Sequence, residues 1–182
     1  TCYICTQALH WKTKEGLVRM CACRGTAGVA HVSCLAEQAK ILFAEAEENN
    51  LLVDEKVFDE RWGRWYICGL CKQNYHGVVY CALGWACWKT YLGRAEADTI
   101  RCTAMNLLGN GLSAAKQYDD ALVVREAEMA WMRRLGAMEG SMLVVQGNLA
   151  STYEALGRLD ESMRLRQDTY SGWLKLKGDA HE

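Results

Sequence analysis

The spacing of its cysteines constrains this chain more than any other feature of its sequence. Seven of the ten cysteines, together with one histidine, form four close pairs that end at residue 71. These residues are Cys2, Cys5, Cys21, Cys23, His31, Cys34, Cys68 and Cys71. A short turn between two cysteines directs both thiolates at one ion, and two such pairs complete a tetrahedral zinc site. The four pairs therefore predict two bound zinc ions.

Disulfide bonds and ordinary burial are the alternative explanations for so many cysteines. A disulfide scaffold usually serves a small secreted chain, whereas the second half of this one has the pattern of a helical core. The sequence also shows no secretory signal segment, which favours zinc. His10 and His76 have no ligand spacing of their own, but either could replace one of the eight ligands.

The composition excludes two classes of protein. With 51% hydrophobic residues and a formal net charge of −1, the chain is neither a disordered tail nor a strongly basic nucleic-acid-binding protein. Its 182 residues suffice for one domain or two small ones. Because proline interrupts helices, the complete lack of proline permits long ones.

The order of the ligands, four cysteines, one histidine and three cysteines, resembles that of RING-variant (RING-CH) fingers of the MARCH-type ubiquitin ligases. The residues that carry the resemblance are Cys2-Tyr3-Ile4-Cys5, Cys21-Ala22-Cys23, His31-Val32-Ser33-Cys34 and Cys68-Gly69-Leu70-Cys71. The PHD finger, a class that includes histone-tail readers, has the same ligand order and is the alternative. The single residue between Cys21 and Cys23 and the seven residues before His31 favour the RING-variant finger.

The resemblance implies a cross-braced pairing, in which Cys2, Cys5, His31 and Cys34 hold one zinc ion. It assigns the second ion to Cys21, Cys23, Cys68 and Cys71. Fingers of this family perform no covalent chemistry. They hold a ubiquitin-conjugating enzyme (E2) with its thioester-linked ubiquitin in a reactive geometry. By the same resemblance, the contacts to the E2 are Ile4, Leu70 and Lys72.

Two departures from the RING-variant pattern bear on this function. Members of the family commonly carry a tryptophan four residues after the sixth ligand, where this chain has Gln38. The 33 residues between Cys34 and Cys68 also exceed the usual gap. Within this insert, apolar residues recur three to four apart from Leu35 to Ala46, which predicts an extension of the finger's helix. The Gln38 departure supports the alternative of a non-enzymatic zinc-finger scaffold or adaptor.

The second half of the chain contains a repeat with a period of 41 residues. The turns Lys116-Gln117 and Gly157-Arg158 divide each unit into two helices. The repeat resembles the tetratricopeptide repeat in its kinesin-light-chain form, most closely from Gly147 to Glu161. The resemblance implies stacked helix pairs whose concave face binds a peptide or a helix, with Asn148 as the peptide contact. An ordinary helical bundle is the alternative.

These patterns together predict a small zinc-stabilised cross-brace α+β finger followed by an all-α, tetratricopeptide-like solenoid. We place the finger at residues 1–76 and the helical domain at 77–182, with repeats at about 99–137 and 140–178. The predicted function is that of a RING-CH-type E3 ubiquitin ligase with two Zn²⁺ ions. Its partners are an E2 and an unidentified protein client bound by the repeats.

Two further expectations concern membranes and location. The most apolar segment, Val78 to Trp88, predicts a buried helix, because it is too short to cross a membrane. No nucleic-acid partner is expected. Since free thiolate ligands suit a reducing compartment, we expect an intracellular, cytoplasmic protein.

Overall fold

The computed structural model describes residues 1–178. The last four residues of the predicted helical domain at 77–182 lie outside the described residues. Within the described part, seven α-helices follow one another: α1 (Val32–Glu48), α2 (Glu55–Gly63), α3 (Gly77–Tyr91), α4 (Thr99–Ala114), α5 (Tyr118–Leu135), α6 (Glu139–Ala155) and α7 (Leu159–Gly178). A short 3-10 helix, Leu51–Val53, precedes α2. None of the helices described is long and apolar enough to cross a membrane.

The N-terminal region consists mainly of loops and turns. Its extended pairing is limited to two isolated antiparallel bridges, Val18 with Ala30 and Ile67 with Asn74. The predicted α+β finger is therefore corrected in its β part, because no strand forms within residues 1–178. The loops here are short and converge on the cysteine pairs, so they do not run side by side long enough to build a sheet.

The insert between Cys34 and Cys68 folds into two helices. The predicted helical extension is confirmed by α1, which buries Leu35, Ala39, Phe43 and Ala46 on one face. The second helix, α2, was not predicted. Its start is marked by Asp54, whose carboxylate accepts hydrogen bonds from the backbone N–H groups of Lys56 and Val57. Aspartate is a preferred residue at the N-cap of a helix, so the start of α2 could have been recognised from the sequence.

An aromatic core joins the insert to the helices that follow. Phe43 of α1 packs edge-on against Trp62 of α2, with ring centroids 5.3 Å apart, and against Tyr91 of α3 at 5.7 Å. The same buried cluster includes Trp65 and, from α4, Leu107. The hydrophobic core is thus continuous across residue 77, where α3 begins. A division into two domains at that point stays a prediction.

The predicted 41-residue repeat corresponds to two helical hairpins of the same design, α4 with α5 and α6 with α7. Lys116 and Gly157 occupy the same place in the two connecting turns, and both have a left-handed backbone, with φ of +61° and +73°. In each turn the next residue donates its N–H to the carbonyl five residues earlier, at 3.0 and 2.9 Å. These bonds satisfy helix-terminal carbonyls and fix the reversal of the chain. From α3 onward, each helix packs against the next.

A buried polar network lies between α4 and α5. The side chains of Arg125 and Glu128 are 2% and 1% exposed, with 3.1 Å between Arg125 Nη1 and Glu128 Oε2. The other carboxylate oxygen accepts from Asn106 Nδ2 at 3.1 Å, and Arg125 also donates to Asn110. Gly109 makes room for the guanidinium, because a Cβ there would lie 2.7 Å from Arg125 Cζ. The network pairs two charges that could not otherwise be buried.

The contact between α3 and α4 depends on glycine. A Cβ on Gly111 would lie 2.9 Å from both the Tyr80 carbonyl oxygen and Cys81 Cα, which belong to the α3 backbone. Gly111→Ala is therefore expected to destabilise the protein by about 1–3 kcal/mol, because backbone atoms must separate. Gly147 of α6 has no atom within 4 Å of the same position. There, alanine is expected to stabilise by about 0.5–1 kcal/mol.

Urea unfolding followed by far-ultraviolet circular dichroism compares these two variants directly. Both substitutions add one methyl group to a helical glycine, so their intrinsic helix propensities cancel. Opposite signs of the change in unfolding free energy are expected. Equal changes in the unfolding free energy would show that the close approach of α3 and α4 does not determine the effect of alanine at position 111.

Candidate metal centres

The first ligand cluster brings together Cys2, Cys5, His31 and Cys34, with all four candidate ligand atoms within 4.8 Å of one another. His31 Nδ1 lies 3.3 Å from Cys5 Sγ and 3.6 Å from Cys34 Sγ. A tetrahedron with zinc–sulfur bonds of about 2.3 Å and zinc–nitrogen bonds of about 2.05 Å requires a sulfur–nitrogen separation of about 3.5 Å. The cluster therefore fits one zinc ion.

The second cluster consists of Cys21, Cys23, Cys68 and Cys71, whose sulfur atoms also lie within 4.8 Å of one another. Cys23 Sγ and Cys68 Sγ are 3.8 Å apart. The same bond length of about 2.3 Å gives a sulfur–sulfur edge of about 3.8 Å, so this set fits a second zinc ion. The first ligand pair joins the third and the second joins the fourth, as the cross-braced pairing predicts.

The two Cys-x2-Cys pairs share one backbone turn, which we call the knuckle turn. The N–H of the first cysteine, Cys2 or Cys68, donates to the carbonyl five residues later, at 3.0 and 2.9 Å. In return, the residue four positions on donates to the carbonyl of that cysteine. This residue has a left-handed backbone in both turns, Thr6 with φ +63° and Lys72 with φ +58°. The closed turn holds both sulfur atoms on one side of the backbone.

The orientation of the His31 ring is fixed by a contact at Nε2, the ring nitrogen that faces away from the cysteines. Its Nε2 lies 3.4 Å from the carbonyl oxygen of Ala8. A proton on Nε2 can be donated to this oxygen, which leaves the Nδ1 lone pair free for a metal ion. His31 also precedes the first residue of α1, and Glu15 accepts a hydrogen bond at 2.8 Å from the N–H of Ser33 in its first turn. The start of α1 and residues 8–15 therefore position this ligand together.

A third turn repeats the knuckle geometry without a cysteine. His10 donates its N–H to the Glu15 carbonyl at 3.1 Å, and Lys14, with φ +59°, donates to the carbonyl of His10 at 2.9 Å. The Nδ1 atom of His10 accepts from the N–H of Thr13 at 3.1 Å, so Nε2 carries the proton. His10 therefore has no nitrogen lone pair for a metal ion, and it lies in neither cluster. Its ring packs edge-on against that of His31 at 5.4 Å.

His10→Ala is expected to weaken zinc binding at the His31 site alone. The substitution removes the packing against the His31 ring and the Nδ1 acceptor for the N–H of Thr13. Loss of such a support typically costs about 10–100-fold in metal affinity. Competition with a chromophoric chelator measures the affinity. Cadmium-113 NMR of the cadmium-substituted protein separates the two sites by their donor sets. His76→Ala is the matched control, because His76 is exposed and lies outside both clusters. Equal weakening of both sites would contradict this role.

The electrostatics of the two ligand clusters also fit a divalent cation. Burial opposes ionisation of Cys2, but the backbone N–H groups of Cys5 and Ile4 donate to its sulfur and lower its pKa to about 7. Burial and the neighbouring sulfur atoms raise the pKa of Cys23 and of Cys34 to about 12. Each cluster therefore resists full ionisation by itself. A bound dication would remove this repulsion, and binding would release protons.

The three cysteines outside the clusters lie in packed surroundings. Cys81 and Cys87 are buried in α3, and Cys102 is half-buried in α4. Burial raises the pKa of all three thiols, that of Cys102 to about 11. A reactive cysteine needs the opposite shift, so the structure gives these thiols a packing role.

Comparison with known proteins supports the assignment of the N-terminal region. A family model described as the RING-variant domain matches residues 2–50. The matched segment holds the first three ligand pairs and ends before Cys68 and Cys71, which the geometry adds to the second cluster. Searches of curated proteins and of solved structures give no match. The chain thus has a zinc-binding RING-variant region at its N-terminus, followed by helices.

The remaining predicted site residues occupy different surroundings. Ile4 and Leu70 take the same position in their two knuckle turns, two residues after the first cysteine; Ile4 is half-buried and Leu70 is exposed. Lys72, at the end of the second turn, is exposed. Asn148 lies on α6 and is half-buried. Their roles in binding stay predictions.

Proposed function

We propose that this protein is a RING-CH-type E3 ubiquitin ligase that positions an E2–ubiquitin thioester. The observation that carries the proposal is the cross-braced pair of four-ligand clusters, of whose four ligand pairs the first three lie in the segment that the RING-variant model matches. Zinc in such a site supplies folding free energy, and its four protein ligands leave no open coordination position for a substrate. The reaction is then accelerated by orientation of the thioester towards an attacking amine.

The proposed E2 contacts lie at the two knuckle turns. Leu70 is an apolar side chain 51% exposed on a turn whose backbone is held by hydrogen bonds at both ends. Ile4 occupies the same position in the first turn. Such a rigid apolar tip can enter a shallow hydrophobic site at a low entropic cost. Lys72 follows the last ligand and places a cation beside Leu70, where it can bridge the E2 and ubiquitin.

Autoubiquitination with purified E1, a panel of E2 enzymes, ubiquitin and ATP tests the proposal. Cys68→Ala is expected to abolish activity. Ile4→Ala and Leu70→Ala are expected to lower it about tenfold or more with both zinc ions retained, as for central interface residues. Val53→Ala is the matched control, because Val53 is an apolar side chain 92% exposed outside the turns. Inactivity of a fully metallated protein with every E2 would refute the proposal.

The helical hairpins are the proposed binding region for a client. We interpret them as tetratricopeptide-like repeats, supported by their equal turns at residues 116 and 157. A groove of about 570 Å³ runs between α4, α5 and α6, with Trp131 and Val144 in its wall. Asn148 follows Val144 by one helical turn, so it faces the same side of α6 and can form a hydrogen bond with a peptide backbone.

Proximity labelling in cells tests this role. It compares the variants Asn148→Ala and Val144→Glu with Val123→Glu, a control on the exposed surface of α5.

One observation favours a second candidate, a non-enzymatic zinc-finger scaffold. Gln38 is half-buried on α1 where the family commonly places tryptophan, which removes apolar area from a surface next to the finger. The autoubiquitination assay separates the two functions, because a scaffold would be inactive while keeping its client. Both functions suit the cytoplasmic location that we propose.

A further inference from the structure

The last helix carries an uncovered row of large apolar side chains. Leu159, Met163, Tyr170 and Leu174 of α7 follow one another at intervals of four and seven residues, which places them on one face. Each is more than half exposed, with Tyr170 at 66%. The row extends over most of a helix about 30 Å long. An exposed row of large apolar side chains, here interrupted at its centre by Arg166 and Gln167, typically marks a contact surface.

The preceding hairpin, α4 with α5, shows how the position equivalent to Tyr170 is covered in this fold. Forty-one residues before Tyr170, Met129 occupies the same position on α5 and is only 3% exposed. It is covered by α6, since Met129 belongs to one buried cluster with Val145. Tyr153 of α6 also donates a hydrogen bond at 3.1 Å to Glu126, the α5 counterpart of Gln167. The position that α6 covers at Met129 of α5 is therefore exposed at Tyr170 of α7.

We propose that this face of α7 pairs with the same face of a second copy of the chain, with the two helices antiparallel. The charges on α7 support this choice of partner. Its first turn carries Asp160 and Glu161, and its last turn carries Lys175 and Lys177. Antiparallel pairing places the acidic end of one helix beside the basic end of the other, whereas parallel pairing would place like charges together.

One register of this pair satisfies the apolar and the charged positions together. When Met163 faces Leu174 of the partner subunit, Asp160 lies opposite the partner's Lys177. Gln167 then lies opposite the partner's Tyr170, as Glu126 lies opposite Tyr153 within the chain. The face of α4 that contacts Tyr80 and Cys81 is already covered by α3, so it is not open to α7 of another copy. A two-fold pair instead buries the same face of α7 in both copies.

Sedimentation velocity of the whole chain over a broad concentration range tests the proposal. A reversible dimer is expected for the native sequence. Tyr170→Glu is expected to raise the dissociation constant at least tenfold, because it buries a carboxylate at the centre of the pair. Val123→Glu is the matched control, since Val123 is an exposed apolar residue of α5, and it should leave the dimer unchanged.

A charge exchange distinguishes this register from unspecific association. Asp160→Lys is expected to raise the dissociation constant about two- to fivefold for each of the two symmetric pairs. Adding Lys177→Asp to that variant should restore the native value. Circular dichroism confirms that each variant is folded. A chain that is monomeric at every concentration would overturn the proposal, and so would a dimer that withstands Tyr170→Glu.

Discussion

Removal of zinc is expected to unfold the N-terminal region and to loosen α1, α2 and α3 with it. Apart from two isolated bridges, the loops that carry the ligands have no regular pairing, so the two metal centres are their main cross-links. Zinc contributes about 10–16 kcal/mol to folding in small finger peptides, which is as much as the whole stability of an ordinary domain. Trp62 and Trp65 lie between the third and fourth ligand pairs and pack with Tyr91 of α3. Loss of the clusters therefore extends into the aromatic core.

Hydrogen exchange after zinc chelation measures how far the unfolding extends. Amides of α1 to α3 should lose protection, whereas those of α6 and α7 should keep it, because these helices share no core with the ligand loops. Cys68→Ser should reproduce the effect of chelation. Cys102→Ser, which changes a half-buried thiol outside the clusters, should not. Native protection of α1 in a metal-free protein would contradict a structural role for zinc.

Arg125→Met is expected to destabilise the protein by about 3–5 kcal/mol. The substitution leaves the carboxylate of Glu128 buried without its cationic partner, and an unpaired buried charge costs about that much. Replacing Glu128 by glutamine in the same variant should recover much of the loss, since no charge then remains in the network. Urea unfolding of the two single variants and the double variant measures the coupling. Arg134→Met, at the exposed pair with Glu96, should cost at most about 1 kcal/mol.

The same network predicts a dependence of stability on pH. Burial raises the pKa of Glu128 above its ordinary value of 4.5, and Arg125 and Asn106 offset part of the rise. The folded state therefore binds a proton more readily than the unfolded chain. The stability contributed by Glu128 should then decline as the pH rises from about 4.5 through the raised pKa. Glu128→Gln should remove this decline, and an unchanged pH profile would contradict the assignment.

Local patterns in the sequence were sufficient for the ligands and for the hairpins. The eight metal ligands follow from the close spacing of three cysteine pairs and of His31 with Cys34, because each short turn presents its two ligand atoms independently of the rest of the fold. The turns at Lys116 and Gly157 follow from the 41-residue repeat, although only one of them has glycine. The pairing of the clusters came from the family resemblance, since spacing does not determine which distant loops meet.

Features that depend on distant contacts could not be predicted. The third turn at His10 has no cysteine, and its role is visible only because its ring lies against His31. The bond between Arg125 and Glu128 spans three residues, a common spacing on solvated helices, and only the fold shows that both are buried. Met129 and Tyr170 occupy equivalent positions in the repeat. Met129 is buried because α6 covers it, whereas Tyr170 is exposed.

The aromatic core around Phe43 also limits how far the zinc clusters can move relative to the helical hairpins. Because Trp62, Trp65 and Tyr91 interlock α2 with α3, the zinc clusters and the helical hairpins cannot swing about residue 77 without exposing several buried rings. If the groove between α4 and α6 binds a client as proposed, the client would keep one orientation relative to the knuckle turns. Under the proposed function, only lysines in a small zone of the client would come within range of the thioester. The position of a lysine on the client would then decide whether it is modified.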